Sequence, residues 1–184
     1  MKKIFKISYI IASLFFILYL LIPNSGFPEQ ISSSFQSDEP ADVETPSRRG
    51  YYLNGSRNEV ITYYRQEFDN FIIFNKNIDL FSLRLNYPPE ESQTIIRDQT
   101  RSTYLEEIVH PFRESIFING FEPKKDNEKI VVYGKPFGQK IIIKTVSSNI
   151  WVRLMIGVMS VIFAFIIIDL WVGIFGKRRN NYET

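Results

Sequence analysis

The chain has 184 residues, 22 Lys or Arg against 20 Asp or Glu for a formal net charge of +2, one His and no Cys. That length holds one modest folded domain. Missing thiols exclude a disulfide framework, a thiolate metal site and a Cys nucleophile, and a single His cannot build a two-His metal centre.

In chain order, Lys2, Lys3 and Lys6 open into IFKISYIIASLFFILYLLI, residues 4–22, whose only charge is Lys6. As a helix this run rises about 28 Å, close to the hydrocarbon thickness of a bilayer. A basic start before an apolar run also describes a cleaved signal peptide. However, Leu21-Ile22-Pro23-Asn24-Ser25-Gly26 carries no A-x-A cleavage pattern. Residues 1–3 are therefore expected as a cytoplasmic tail and 4–22 as an uncleaved signal anchor.

Residues 23–50 hold four Pro, six Ser and five Asp or Glu, with Ile31 and Val43 as the aliphatics. Such a stretch buries too little surface to order itself, so a disordered linker spanning roughly 30 Å is expected, one whose shortening leaves folding unchanged.

Residues 51–148 carry apolar clusters at Tyr63-Tyr64, Phe71-Ile72-Ile73-Phe74 and Ile141-Ile142-Ile143, enough for one small core. Ser56-Arg57-Asn58-Glu59 has capping-box spacing, and Val60, Tyr64 and Phe68 follow on one face, which predicts a helix near 57–68. Phe81, Leu83 and Leu85 alternate with Ser82, Arg84 and Asn86 as in a strand. Pro88-Pro89-Glu90-Glu91 reads as a helix start, with Leu105, Ile108, Val109, Phe112 and Ile116 as its apolar stripe, Pro111 as a kink and Asn119-Gly120 as its stop. Residues 129–133 and 140–146, separated by Gly134-Lys135-Pro136-Phe137-Gly138, read as a closing hairpin.

The second apolar run, 150–176, has an uncharged core from Leu154 to Ile168, Trp151 and Trp171 near its ends, and Lys177-Arg178-Arg179 beyond it. Interfacial Trp and flanking cations are what a spanning helix favours, and Arg153 is expected to snorkel to the interface. Both basic flanks stay in the cytoplasm, making 177–184 a cytoplasmic tail and 23–149 extracytoplasmic. The expected fold class is α+β, a small exoplasmic domain carried between two transmembrane α-helices in a two-pass cell-membrane protein.

The stretch LRLNYPPEESQTIIRDQTRSTYLEEIVHPFRESIFINGFEP, Leu83 to Pro123, resembles a family of uncharacterised two-helix membrane-anchored proteins of small-genome bacteria. The resemblance implies a bacterial envelope location; it implies no activity and carries over no site residues.

Three groups of residues are candidates for function. Glu106 and Glu107 lie four and three positions before His110, close enough on a helix to hold its imidazolium; the alternative is a polar contact of the Pro111 bend. Within the membrane, Ser8 and Ala12 on the first helix and Gly157, Ser160 and Ala164 on the second have the small-residue spacing of close helix packing. Asp169 and Lys6 fall about 9 and 10 Å inward of the bilayer centre in an antiparallel hairpin, so they form a candidate charge pair.

No phosphate loop, nucleophile elbow or metal-ligand spacing is present, and no catalytic residue, metal or cofactor is expected. Residues 23–149 hold 15 basic and 18 acidic residues, so the basic excess sits on the membrane flanks and no nucleic-acid partner is expected. The reading is a non-enzymatic membrane-anchored envelope protein binding a protein or cell-wall partner, as a subunit of a membrane complex, with its oligomeric state left open. The alternative is an envelope hydrolase or accessory enzyme using Glu106, Glu107 and His110.

Overall fold

The computed structural model describes residues 2–73, 76–79, 82–97 and 102–180. In chain order its elements are helix α1 (Lys2–Leu21), strands β1 (Phe35–Gln36) and β2 (Arg48–Leu53), helix α2 (Arg57–Asp69), strands β3 (Asn70–Ile73), β4 (Lys76–Asp79) and β5 (Leu83–Tyr87), the short helix α3 (Ser92–Ile95), strands β6 (Tyr104–His110), β7 (Glu114–Phe121), β8 (Ile130–Val132), β9 (Lys135–Phe137) and β10 (Gln139–Ser147), and helix α4 (Ile150–Asn180). They form two compact units, one made of the chain ends before Asn24 and after Ser147, the other Asn24–Ser147. The result is a mixed α+β chain with an antiparallel sheet and two long apolar helices at its ends.

The central unit is built on a six-stranded antiparallel sheet ordered β1-β2-β10-β7-β6-β5. Ser56 starts α2 as a full capping box, accepting from the Glu59 amide while the Glu59 carboxylate accepts from the Ser56 amide. The helix then buries Val60, Ile61, Tyr64 and Phe68 against Tyr51, Leu53, Tyr104, Ile108, Ile116, Ile118, Ile141 and Ile143. The opposite face carries a smaller cluster of Ile96, Leu105 and Ile142. Arg48 and Lys144 hold α3 over that face by donating to the Ile96 and Ile95 carbonyls at 2.7 and 2.6 Å. These are cations at a helix C-terminus, where the dipole favours them. With both faces covered, β10 is buried through Ile141-Ile142-Ile143, which explains that uninterrupted apolar run.

The long helix expected from Pro88 to Ile116 does not form: among the described residues of that stretch, only Pro89–Glu91, as a 3-10 turn, and α3 are helical, and from Tyr104 the chain runs through β6, a turn and β7. Its apolar stripe satisfies two periods at once. On a strand, Tyr104, Glu106, Ile108 and His110 share one face and Leu105, Glu107 and Val109 the other. Aromatic and β-branched residues such as Tyr104, Ile108, Val109, Ile116 and Ile118 favour that choice. Pro111 turns the chain instead of kinking a helix.

Gly120 is not a helix stop either. It lies inside β7 opposite Tyr104, and a Cβ there would come within 2.0 Å of the Tyr104 ring. Gly120→Ala is therefore expected to cost about 1–3 kcal/mol by overpacking, measured by chemical denaturation. An unchanged midpoint would show that the ring moves freely.

The expected closing hairpin is also re-paired. β8 pairs with β9 through the two-residue turn Tyr133-Gly134, whereas β10 pairs with β2 and β7. Asn70–Ile73 and Leu83–Tyr87 are strands; Phe74 and Phe81, also named from the sequence, lie outside the described residues.

Residues 23–50 differ most from the sequence expectation, because they are not a loose linker. Phe27 and Ile31 pack on the main core, Ser37 and Asp42 are buried, and β1 pairs with β2. Tertiary partners supply what local composition lacks. Lys140 reaches Asp42 at 2.9 Å and Glu39 at 3.0 Å, and the Gly50 position has no Cβ where the Asp42 carboxylate sits.

In the helical unit, Lys3–Leu21 and Ile150–Ile174 are long and apolar enough to cross a membrane. α1 packs along α4 through a seam containing Phe16, Ile17 and Leu20, which surround Gly157. Arg153 is buried against the end of α1: its guanidinium donates to the Leu20 carbonyl at 2.7 Å and to that of Ile22. It thus satisfies carbonyls at the C-terminal end of α1 that the helix leaves unpaired.

Candidate functional site

A buried polar cluster of the central unit lies at the end of the sheet where β6 turns into β7. The β-turn orients His110, Arg113 and Glu114 inward, and all three are buried. Glu114 accepts from the Ser25 amide at 2.7 Å, the Ser25 hydroxyl at 3.2 Å and Arg113 at 2.9 Å. His110 stacks on Phe68 with ring centroids 4.2 Å apart. Its two ring nitrogens lie 3.4 Å from an Asp69 oxygen and 3.5 Å from a Glu114 oxygen, and Asp69 also faces Arg65 at 3.5 Å.

A cavity of about 270 Å³ adjoins this cluster, lined by Glu114, Phe68 and the hydroxyl residues Ser25, Ser47, Ser115 and Thr145. Glu114 already accepts from three donors on its two oxygens. A carboxylate so occupied is an anchor for the segment after Pro23, not an idle base.

Compared with family models, curated proteins and solved structures, the chain finds no match.

The sequence-selected trio Glu106, Glu107 and His110 is not brought together. Four residues along a strand separate Glu106 from His110 by about 13 Å, instead of one helical turn, so the expected contact between them is corrected to separate networks. Glu107 points to the other face, where it accepts from Tyr87 at 2.6 Å and raises that phenol to about 12. Glu106 is fully buried and clamped by two arginines: Arg57 Nε and Arg84 Nη2 each donate to its Oε1 at 2.7 Å, and Arg84 Nε donates to Oε2. Burial pushes the Glu106 carboxyl up, but the hydrogen bonds from Arg84 and Arg57 outweigh it and hold the group below the ordinary carboxylate range.

In the helical unit, Lys6 Nζ lies 3.7 Å from Asp169 Oδ1 and 5.5 Å from the centre of the Phe165 ring. Gly157 is buried on the helix seam, and Ala164 is half-buried. Ser8, Ala12 and Ser160 are exposed, with the Ser160 hydroxyl bonded back to Ile156 in its own helix. The half-buried positions of α1 include Tyr9 and Ser13, each one residue along from the small pair chosen by spacing, and Phe16, Ile17 and Tyr19. Tyr9 makes the close approach, donating to the Val161 carbonyl at 2.5 Å.

Neutralising Lys6 and Asp169 separately and together is expected to give a coupling of about 0.5–1 kcal/mol in hairpin assembly, with charge exchange restoring part of it. Strict additivity in a reversible assembly assay would show that the two charges do not interact.

Sequence reasoning missed Asp42, Lys140, Arg57, Arg84 and Glu114. One signal was available: Lys140 is a lone cation heading Ile141-Ile142-Ile143, and a charge next to a buried strand requires a counter-charge.

Proposed function

We propose that this chain is a two-pass membrane protein of the bacterial envelope, with both termini cytoplasmic and its sheet domain outside. There it serves without catalysis as a subunit of a membrane complex, and the domain binds a protein or cell-wall component. The observation that carries this reading is the architecture: one sheet domain whose chain runs at both ends into helices long and apolar enough to cross a membrane. The basic flanks Lys2-Lys3 and Lys177-Arg178-Arg179 support the orientation, and the family resemblance of 83–123 supports the envelope location.

The buried charges of the domain favour a structural role. Glu106 is matched by Arg57 and Arg84, and Lys140 by Asp42 and Glu39. Crosslinking in intact cells, followed by affinity purification and mass spectrometry, tests the proposal. A reproducible set of membrane or wall partners is the expected result; recovery of the chain alone would overturn the complex-subunit reading. Protease added outside cells should reach the sheet domain and spare a C-terminal tag.

A further inference from the structure

The tip of the β6–β7 hairpin is built inside out. Arg113 N donates to the His110 carbonyl at 3.0 Å, closing a β-turn over Pro111 and Phe112. Phe112 has φ +63°, a left-handed conformation that Gly enters freely and a bulky residue seldom adopts. The three ionisable side chains of the turn, His110, Arg113 and Glu114, are 0, 2 and 7 % exposed, whereas Phe112 is 76 % exposed. A turn facing water has the opposite distribution, with polar groups outward and the aromatic ring withdrawn.

Covalent connectivity limits how far this tip can lie from the apolar helices. Glu114 pairs with Ser147, so the turn projects beyond the last residue of β10. Only Ser148 and Asn149 separate Ser147 from Ile150, the first residue of α4. Three Cα steps span at most about 11 Å, and this limit holds in any orientation of the two units. At the other end of the domain sequence, Ser25 is bonded to Glu114 and lies four residues after Leu21, the end of α1. Both connections to the apolar helices therefore leave the domain beside this turn. Val146, next to Ser147, adds a second exposed apolar side chain there.

We propose that Phe112 is a lipid-interface anchor, its ring inserted at the boundary between headgroups and acyl chains of the bilayer that the helices cross. The proposal rests on the membrane reading above and adds a lipid contact made by the sheet domain. An interface accepts an aromatic ring and penalises desolvated charge, which accounts for the outward Phe and the three inward ionisable groups together.

The absence of Cys allows a direct test on the full-length chain in phosphatidylcholine–phosphatidylglycerol vesicles. Single variants Phe112→Cys, Val131→Cys and Ile162→Cys each carry an environment-sensitive fluorophore, and the vesicles contain a lipid quencher placed high on the acyl chain for positions 112 and 131 and at the chain terminus for position 162. Val131 is exposed on β8, near the start of β10 and so at the far end of the sheet, and Ile162 is exposed midway along α4. Quenching at position 112 at least threefold above that at 131, with quenching also at 162, is the expected result. Equal quenching at 112 and 131 overturns the anchor while leaving the membrane reading intact when 162 is quenched. No quenching at 162 overturns the membrane reading and the anchor with it. As a second variant, Phe112→Asp should lower the quenching of a fluorophore at Val146→Cys at least twofold; no change there also counts against the anchor.

Discussion

Asp42→Ala should destabilise the sheet domain by about 3–5 kcal/mol, seen as a lower denaturation midpoint of the full-length protein in detergent. Asp42 is buried in the Pro- and Ser-rich stretch, and its carboxylate lies 2.9 Å from the Lys140 ammonium. Removing it leaves a largely buried cation with the half-exposed Glu39 as its counter-charge among the described residues, so the undercompensated charge dominates the cost. Shortening the chain between Ser33 and Val43 should be at least as damaging, since it removes β1, Ser37 and Asp42 together. A loss below about 1 kcal/mol for Asp42→Ala would show the segment to be peripheral.

The same cluster sets a pH window. Burial alone would lower the Lys140 pKa, but its bonds to Asp42 and Glu39 prevail and raise it above the ordinary 10.5. Its stabilisation is therefore fully present below that value and is lost as pH rises through the folded pKa. The Tyr52 hydroxyl, which donates to Glu39, together with Lys140 holds the Glu39 carboxyl below its ordinary 4.5, so its contribution is present above 4.5 and lost as pH falls through the folded value. The cluster should thus stabilise the domain throughout the neutral range and fail at both extremes. Asp42→Asn with Lys140→Met should weaken the alkaline limb, leaving the part set by the buried Tyr52 hydroxyl.

Glu106→Gln should cost about 3 kcal/mol, and Glu107→Gln less than about 1 kcal/mol, although the two residues are adjacent. Glu106 accepts from Arg57 and Arg84 inside the domain, and its loss leaves both guanidinium groups facing a neutral amide. Arg57 and Arg84 are each partly exposed and regain water, which keeps the cost near the lower end of the range for a broken buried pair. Glu107 gives up one hydrogen bond from Tyr87 on the other face. Because the Glu106 pKa is depressed, its contribution is present above 4.5 and lost as pH falls through the folded value, and Glu106→Gln should flatten the acid limb of stability. Equal costs for the two variants would mean that the face assignment of β6 is wrong.

What the residues determined alone is what local physics decides. The capping box at Ser56 and the i, i+4 stripe Val60, Tyr64 and Phe68 need only neighbours along one helix, so α2 was legible to within a residue. The two apolar runs were legible because length and composition suffice to make a membrane-length helix. Helix rise in an antiparallel hairpin puts Lys6 and Asp169 at one level, and in the structure their charged atoms lie 3.7 Å apart. Tertiary structure decided everything that depended on a distant partner. Residues 24–50 have the composition of a disordered chain and are ordered by Lys140 and by the core around Phe27 and Ile31. The stripe from Leu105 to Ile116 fits helix and strand alike, and pairing of Tyr104–His110 with both Leu83–Tyr87 and Glu114–Phe121 settled it. Glu106 and His110 parted for the same reason: four residues are one turn of a helix but about 13 Å of strand, and only the sheet specifies which applies.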